Sequence, residues 1–304
     1  MSPARPGTPE SKAGIHALWL RACCLTIIAI AATPADAHWS FDTELGVSYD
    51  NNLGNARSED SVGDRALIAS VAATQSEYLE HGDSISWGGR IAGERYADFD
   101  GLDNLALAAM ISYRKKLGLG PFAPWWRASW SSSALAYRDD ARNGWLHQAE
   151  VGAGKRLSER YNLGLTFRVE QRKAANLQEQ GSGLSVDAFS QLSKSLGVNA
   201  EYAPDRDMVL SLGAQLRHGD IVSTSHRYRQ VFLYSKAIVE DPALGSNVFA
   251  YRLTGNTLIL NVAMAIFLSP DSCVNIGVQR ALTHADGSNN YAKNKLAVSW
   301  VGNF

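Results

Sequence analysis

Regular alternation of apolar and polar residues is the feature that most constrains the fold of this chain of 304 residues. The alternation is clearest from Trp39 to Tyr49, where every second residue except Thr43 is apolar and the residues between are polar or small. Successive side chains of a β-strand point to opposite faces, so this pattern predicts a strand with one apolar and one polar face. The pattern recurs at residues 105–113, 161–169 and 208–216. The sequence therefore predicts an all-β protein built from amphipathic strands.

Helices that cross a membrane are not predicted beyond the N-terminal region. The most apolar later stretch, Thr257 to Leu268, contains 12 residues and includes Asn261. A helix needs roughly 20 consecutive apolar residues to cross the hydrocarbon core of a bilayer. If the chain spans a membrane, it must do so with strands.

The N-terminal residues contain the three parts of a secretory signal peptide. These parts are the basic residues Arg5, Lys12 and Arg21, the apolar run from Ala22 to Thr33, and the small-x-small site Ala35-Asp36-Ala37. The apolar run is too short for an anchoring helix. A lipoprotein signal at Cys23 is disfavoured, because most of the apolar run follows that cysteine instead of preceding it. We predict a signal peptide at 1–37 and a mature domain at 38–304.

The mature chain is expected to be nearly neutral and to hold one cysteine. The signal takes away three basic and two acidic residues, so the 29 Lys and Arg and the 30 Asp and Glu stay close to balance. This balance gives no indication of a nucleic-acid partner. Cys23 and Cys24 are removed with the signal, which leaves Cys273 without a partner for an intramolecular disulfide. The fold must therefore be stable without disulfide bonds.

Short and long connections alternate along the mature chain. The short ones are residues 80–83, 117–121, 158–160, 204–207 and 269–272. The long, polar ones are residues 50–63, 97–103, 138–144, 172–183, 219–249 and 284–292. Short turns at one end and long loops at the other are typical of outer-membrane barrels. We predict a transmembrane antiparallel up-and-down β-barrel of about 12 strands; poor alternation at 66–75 and 125–137 leaves 10 or 14 strands as alternatives.

A soluble β-sandwich is the competing interpretation, because it too is built from short alternating strands. Aromatic residues near the predicted strand ends favour the barrel, since amphipathic rings concentrate at the two interfaces of a membrane. The loop-end set is Tyr49, Tyr96, Tyr137, Trp145 and Tyr251, and the turn-end set is Trp39, Tyr113, Tyr161, Tyr202 and Phe304. Two aromatic girdles are therefore expected.

The last predicted strand ends in an aromatic residue. Leu296, Val298, Trp300, Gly302 and Phe304 share one face of that strand, and the sequence stops at Phe304. This segment resembles the C-terminal assembly signal of Gram-negative outer-membrane β-barrel proteins. The resemblance implies recognition of Leu296, Val298, Trp300 and Phe304 by the barrel-assembly machinery. It also implies insertion into the outer membrane, in contact with lipid and lipopolysaccharide, and it points to no specific family.

Polar residues on the predicted inner face must contact water or one another. The alternation assigns to that face Arg90, Glu94, Arg168, Glu170, Arg172, Gln215, Arg217 and Lys295. Small inward residues such as Gly46, Gly88 and Gly213 leave space between these side chains. We predict a narrow, monomeric channel for small polar or charged solutes, with no cofactor. The alternative is a non-conducting surface or envelope protein whose outer loops bind a partner.

The longest predicted loop, Gly219 to Phe249, is unlike the other loops in composition and length. One half of it is basic, with His226, Arg227, Arg229 and Lys236. Apolar residues such as Val231 and Phe232 accompany them. We predict that the loop folds over the barrel mouth and places positive charge at a constriction, which would favour anions. An external hairpin that extends the ninth and tenth strands is the alternative.

The residue pattern indicates neither a catalytic site nor a metal site. A hydrolase is the least favoured function, because Arg217-His218-Gly219-Asp220 does not match the Gly-His-x-Ser core of outer-membrane phospholipases. Asp98, Asp100 and Asp103 are weak candidates for a calcium site, since no bidentate Glu closes the loop. We therefore predict no catalytic residue and no metal.

Overall fold

Twelve strands form a closed antiparallel barrel in the computed structural model, which describes residues 39–79, 82–175 and 187–304. The barrel strands are β1 (Trp39–Asp50), β2 (Asp64–Tyr78), β3 (Ser84–Tyr96), β4 (Asn104–Lys116), β5 (Trp125–Tyr137), β6 (Gly144–Arg156), β7 (Tyr161–Ala174), β8 (Gln191–Tyr202), β9 (Met208–Ser225), β11 (Phe249–Ser269), β12 (Ser272–Ala285) and β13 (Tyr291–Asn303). β10 (Ala237–Glu240) pairs with β11 outside the ring. The prediction of an all-β, 12-strand barrel is confirmed. The predicted signal peptide lies outside the described residues.

Pairing of the first and last strands closes the barrel. β1 pairs with both β2 and β13, and β9 pairs directly with β11. At the chain terminus, Phe41 N donates to Phe304 O at 3.0 Å and Phe304 N donates to Phe41 O at 2.9 Å. The connections alternate as predicted between short turns at this end, the turn end, and longer segments at the other, the loop end.

The strand register separates an apolar outer face from a polar inner face. Val47 pairs with Val298 on one side and Leu67 on the other, and Val47 and Leu67 are 51% and 61% exposed. The same exposure recurs around the ring at Ile111, Val151, Phe167, Val198, Leu212, Val262 and Val278. A continuous apolar surface of this extent is stable only against another apolar phase.

The predicted aromatic girdles are only partly present. Exposed aromatic residues at the two ends of the outer face include Tyr49, Trp145, Tyr161 and Phe304. The register places Tyr96 and Tyr137 on the inner face instead, and Tyr251 is buried beyond the barrel wall at 1% exposure. The girdle assignment is therefore wrong for these three residues, because it considered their distance from the strand end without their face.

Helical structure is confined to short segments of the described chain. The one α-helix there, α1 (Arg229–Tyr234), has 6 residues, and it lies between β9 and β10. None of the helices within the described ranges has the length and apolar character needed to cross a membrane.

β9 and β11 are longer than the other strands, with 18 and 21 residues. They pair with each other as far as Ser225 and Phe249. The flanking ladders with β8 and β12 end earlier, at Gly219 and Gly255. The predicted loop start at Gly219 is therefore wrong, because the strand continues to Ser225 and the connecting segment is 226–248. The β9–β11 hairpin thus extends beyond the barrel wall at the loop end.

Candidate functional site: the lumen and its cap

Gly219 lies where the β9–β11 hairpin leaves the barrel wall. Its φ of +142° falls in the region that favours glycine, and an added Cβ would lie 2.3 Å from the carbonyl oxygen of Leu192. Gly255 is its cross-strand partner. Both strands of the hairpin therefore leave the wall at a residue without a side chain, which permits a sharp change of direction there.

Contacts with the β1–β2 loop show that the hairpin lies across the mouth of the barrel. Thr224 N donates to Gly54 O at 2.7 Å, Ser223 Oγ donates to Asn55 O at 2.8 Å, and Asn55 Nδ2 donates to Val222 O at 3.1 Å. In the ring, β12 and β13 separate β11 from β1. A hairpin that continued straight along the wall could not meet this loop.

Arg142 and Asp241 connect the same segment to the β5–β6 loop. Asp241 is fully buried, and its Oδ2 lies 2.5 Å from Arg142 Nη2 and 2.6 Å from Thr224 Oγ1. The Arg142 guanidinium also lies 4.6 Å from the centroid of the Phe189 ring. A buried charge is stable only when it is paired, so this contact fixes the segment on the loop. We define residues 220–254 as the cap, because they contact loops on different sides of the mouth.

Apolar packing holds the cap on the loops. The three clusters are Leu102, Ala243, Leu244 and Val248; Ala188, Phe189, Ala237 and Ala250; and Ile221, Val231, Tyr251 and Leu253. Leu102 and Phe189 belong to loops, and Val231 lies on α1. Full burial of one large apolar side chain contributes about 1.5–3 kcal/mol. The cap is therefore a packed element and not a loose connection.

Asp139 is a second carboxylate close to the Arg142 guanidinium, with 3.9 Å between Asp139 Oδ2 and Arg142 Nε. Burial raises the pKa of Asp139 above its ordinary value, and the nearby Asp241 charge also raises it, although the Ala141 N–H and Arg142 act in the opposite direction. One arginine thus stabilises two partly or fully buried acids. Loss of Arg142 would leave both without their cation.

The four basic residues predicted at a constriction are exposed on the cap. His226 Nδ1 lies 3.0 Å from Asp60 Oδ1, the Arg227 guanidinium lies 4.9 Å from the centroid of the Phe249 ring, and Lys236 Nζ lies 2.6 Å from Asp220 Oδ1. Arg229 is the first residue of α1. These contacts are with loop and cap residues. The structure therefore places this basic set on the cap, at the loop end of the barrel.

All eight residues predicted to line the lumen lie on the inner face of the barrel. The set is Arg90, Glu94, Arg168, Glu170, Arg172, Gln215, Arg217 and Lys295. Arg172 Nη2 donates to the carbonyl oxygen of Arg142 at 2.7 Å, and Arg217 Nη2 donates to that of Asp220 at 3.0 Å. These two residues therefore support the loop end, whereas Arg168 and Gln215 line a cavity lower in the barrel.

Ion pairs neutralise part of the charge on the inner wall. Glu150 joins two arginines, with Oε1 2.9 Å from Arg127 Nη2 and Oε2 2.7 Å from Arg168 Nη2. Arg90 Nη2 lies 3.2 Å from Glu44 Oε2. The side chains of Arg90 and Glu44 are 45% and 32% exposed, so this pair is in contact with the lumen. The inner wall is therefore polar and charged, and its ion pairs do not close the lumen.

Three cavities follow the inner wall. Cavities of about 260 and 240 Å³ share Glu150 and Arg168, and a cavity of about 550 Å³ lies at the turn end. The largest shares Arg127 with the first and Thr166 with the second. Because the cavities share lining residues, the polar space runs from the middle of the barrel to the turn end.

Sequence reasoning missed Arg127, Glu150, Arg142 and Asp241. Glu150 lies between Ala149 and Val151, so the alternation of β6 contained a usable signal for it. Arg127 lies on a strand that alternates poorly, which hid its inward direction. The partners Arg142 and Asp241 are 99 positions apart. A pair that forms only when the cap crosses the mouth leaves no local pattern.

Two of the three weak calcium candidates have protein partners for their carboxylates. Asp103 Oδ1 accepts the N–H of Tyr96 at 2.8 Å, and Asp100 Oδ2 lies 2.9 Å from Arg138 Nη1. The part of the chain that the structure describes contains no group of three or more His, Cys, Asp or Glu side chains arranged to hold a metal ion. Asp98 contributes its backbone N–H to the Asp64 carboxylate. Asp103 therefore stabilises the β3–β4 connection, and Asp100 links that connection to the β5–β6 loop.

Comparison with known proteins shows the fold and no closer relationship. No protein-family model and no curated protein sequence matches the chain. The chain is similar in structure to an outer-membrane channel from Pseudomonas putida F1, with a TM-score of 0.55, 11% identity, and coverage of 90% of this chain and 97% of that one. It also matches the NanC porin (TM-score 0.42, 13% identity, 85% and 98% coverage) and the KdgM porin (TM-score 0.43, 9% identity, 87% and 99% coverage).

Proposed function

We propose that the protein is an outer-membrane barrel that forms a narrow channel for small polar or charged solutes, with the cap over its outer mouth. The contrast between the two faces of the wall carries this proposal. The outer face exposes large apolar side chains, whereas the inner face carries ion pairs and polar cavities. Strands that are apolar outside and polar inside suit a barrel with lipid around it and water within it.

The placement of the two ends supports an outer-membrane orientation. Short turns face the periplasm and longer loops face outward in such barrels, so the cap would lie at the cell surface. Phe304 is 73% exposed on the outer face, in line with Leu296 and Val298, where the barrel-assembly machinery could contact it. The predicted signal at 1–37 would direct export. Lipid and lipopolysaccharide would surround a single barrel, and no cofactor is proposed.

The cap also favours a second candidate function. Twelve strands lie between the small barrels that side chains fill and the 16 to 18 strands of wide pores. With its mouth covered by packed residues, the barrel could be a non-conducting surface protein whose loops bind a partner. In the channel proposal, the cap must move before solute passes. The two functions therefore differ in whether the barrel conducts once the cap is displaced.

Recordings in planar bilayers with the purified mature chain test the channel proposal. We expect small, discrete conductance steps with long closed periods, because the cap covers the mouth. A barrel that stays silent both with the cap and without it would contradict the proposal and favour the surface protein.

The strand register predicts that arginine substitutions at two neighbouring positions of β9 change the free energy of unfolding by very different amounts. Leu212 is 58% exposed on the outer face, whereas Ser211 pairs with Glu201 on the inner face. Leu212→Arg should lower the free energy of unfolding in lipid vesicles by roughly 2–4 kcal/mol, the cost of an arginine near the bilayer midplane. Ser211→Arg should change it little. Equal losses for the two variants would show that the faces are assigned incorrectly.

A further inference from the structure

The lumen holds an excess of positive charge at its turn end. The cations on the inner side of the 550 Å³ cavity are Arg114, Lys116, Arg127 and Arg156. Glu201 is the only carboxylate among the described residues that line this cavity, and it accepts a hydrogen bond from Asn162 Nδ2 at 3.2 Å. The inner wall formed by β4, β5 and β6 is therefore basic at this level.

Two of these arginines occupy an unfavourable arrangement. Arg114 of β4 and Arg127 of β5 are direct cross-strand partners on the same face. Like charges at such positions destabilise a sheet, because their Cβ atoms are only about 4.5–5.5 Å apart. Glu150 compensates Arg127, whereas Arg114 lies over the Trp125 ring at 4.8 Å, a contact that leaves its charge uncompensated. A bound anion would remove this repulsion.

Arg156 is held in place without being neutralised. Its Nε donates to the Ser158 carbonyl oxygen at 3.1 Å, and its Nη2 donates to the Glu159 carbonyl oxygen at 2.8 Å. Carbonyl partners orient a guanidinium and leave its full positive charge. The turn after β6 thus presents a fixed cation to the cavity.

Glycines on the neighbouring strands make room for two side chains that line the cavity: an added Cβ at Gly154 would overlap the Trp125 ring, and one at Gly164 would overlap the Asn199 side chain. Gly152 is the partner of Arg127 across β5 and β6, and Gly154 is the partner of Gly164 across β6 and β7. The volume of about 550 Å³ lies within the range of about 300–1,000 Å³ that small-molecule pockets occupy. The cavity can therefore hold a small organic molecule as well as an inorganic ion.

We propose that Arg114, Lys116, Arg127 and Arg156 form a binding site for a small organic anion with two or three carboxylates, and that this site makes the channel select anions. Guanidinium groups bind carboxylates through paired, charge-assisted hydrogen bonds, and several cations on one wall suit a ligand with several carboxylates. The selectivity rests on the proposed channel function, whereas binding of the anion requires only the folded barrel.

Citrate binding to the folded mature chain tests the site directly. Isothermal titration calorimetry should show citrate binding to the wild type in detergent, and the double variant Arg114→Gln/Lys116→Gln should lose most of it. Lys115→Gln is the matched control. Lys115 lies between Arg114 and Lys116 on β4, so its side chain is on the outer face, where Nζ lies 3.5 Å from Asp83 Oδ2. Equal citrate binding by the double variant and the control, or no binding by the wild type, would overturn the proposal.

Reversal potentials separate failure of the site from failure of the channel. In a KCl gradient the capless barrel should be anion-selective, citrate should block it, and Arg114→Gln/Lys116→Gln should shift the reversal potential toward cations and reduce the block several-fold. Inorganic phosphate should block less than citrate if several carboxylates are recognised. A conducting barrel with unchanged selectivity in the double variant would refute the anion site alone. A silent barrel that still binds citrate would refute the channel and leave the site standing.

Discussion

A barrel without its cap is expected to conduct far more than the full-length protein. Gly219 and Gly255 are cross-strand partners, so residues 220–254 can be replaced by an Asn-Gly turn that joins two paired positions. The deletion removes the segment that crosses the mouth and exposes the polar cavities below it. Conductance in planar bilayers should rise several-fold, and the long closed periods should disappear.

Leu233→Ser is the control for cap deletion. Leu233 lies on α1 and is 66% exposed, so its replacement should leave the cap in place and the conductance unchanged. A capless barrel that is folded by circular dichroism and conducts no more than the full-length protein would show that the cap does not limit passage.

Arg142→Ala is expected to release the cap while leaving the barrel folded. The substitution removes the cation beside the fully buried Asp241 carboxylate, and breaking a buried pair in this way costs about 3–5 kcal/mol. The cap is the part that loses this stability, because Asp241 belongs to the cap and the strand pairing of the barrel does not depend on it. Limited proteolysis should therefore cut within 226–248 much faster, and the strands should stay protected.

Arg138→Ala provides a matched control in the same loop. Arg138 pairs with Asp100 at 2.9 Å, but both side chains are 64% exposed, and such pairs contribute about 0–1 kcal/mol. Proteolysis of the cap should therefore stay near the wild-type rate. Similar cleavage of the two variants would mean that the Arg142–Asp241 pair does not hold the cap.

The barrel wall could be predicted from sequence because its physics is local. One face of each strand is apolar and the other polar, and successive side chains point to opposite faces. The alternation in the sequence therefore shows which face carries residues such as Val47 and Ser48. Turn and loop lengths then gave the order of the strands. The same rule placed Arg168 and Gln215 on the inner face, where the structure also has them.

The cap could not be predicted in detail because its contacts are distant in sequence. Asp241 meets Arg142 only after the hairpin bends at Gly219, and neither residue stands out from its neighbours. The basic residues of 226–248 suggested a constriction, yet they lie exposed on the cap. Arg127 of the basic cluster at the turn end was overlooked for a different reason: it lies on β5, whose serine-rich sequence alternates poorly.

Labelling of single cysteines tests most directly the claim that a polar lumen is open at the turn end and covered at the loop end. Thr166 lines both the 240 and the 550 Å³ cavities, so Thr166→Cys in a Cys273→Ser background places a thiol inside the lumen. Ser58→Cys, exposed in the β1–β2 loop, reports access at the cell surface. A bulky, charged thiol reagent should label position 58 in intact cells.

The predicted result is that position 166 is labelled much faster in permeabilised cells than in intact cells, and that deletion of 220–254 removes this difference. Equal labelling rates of position 166 in intact and permeabilised cells with the cap in place would contradict the covered mouth. No labelling under any condition would contradict a water-filled lumen.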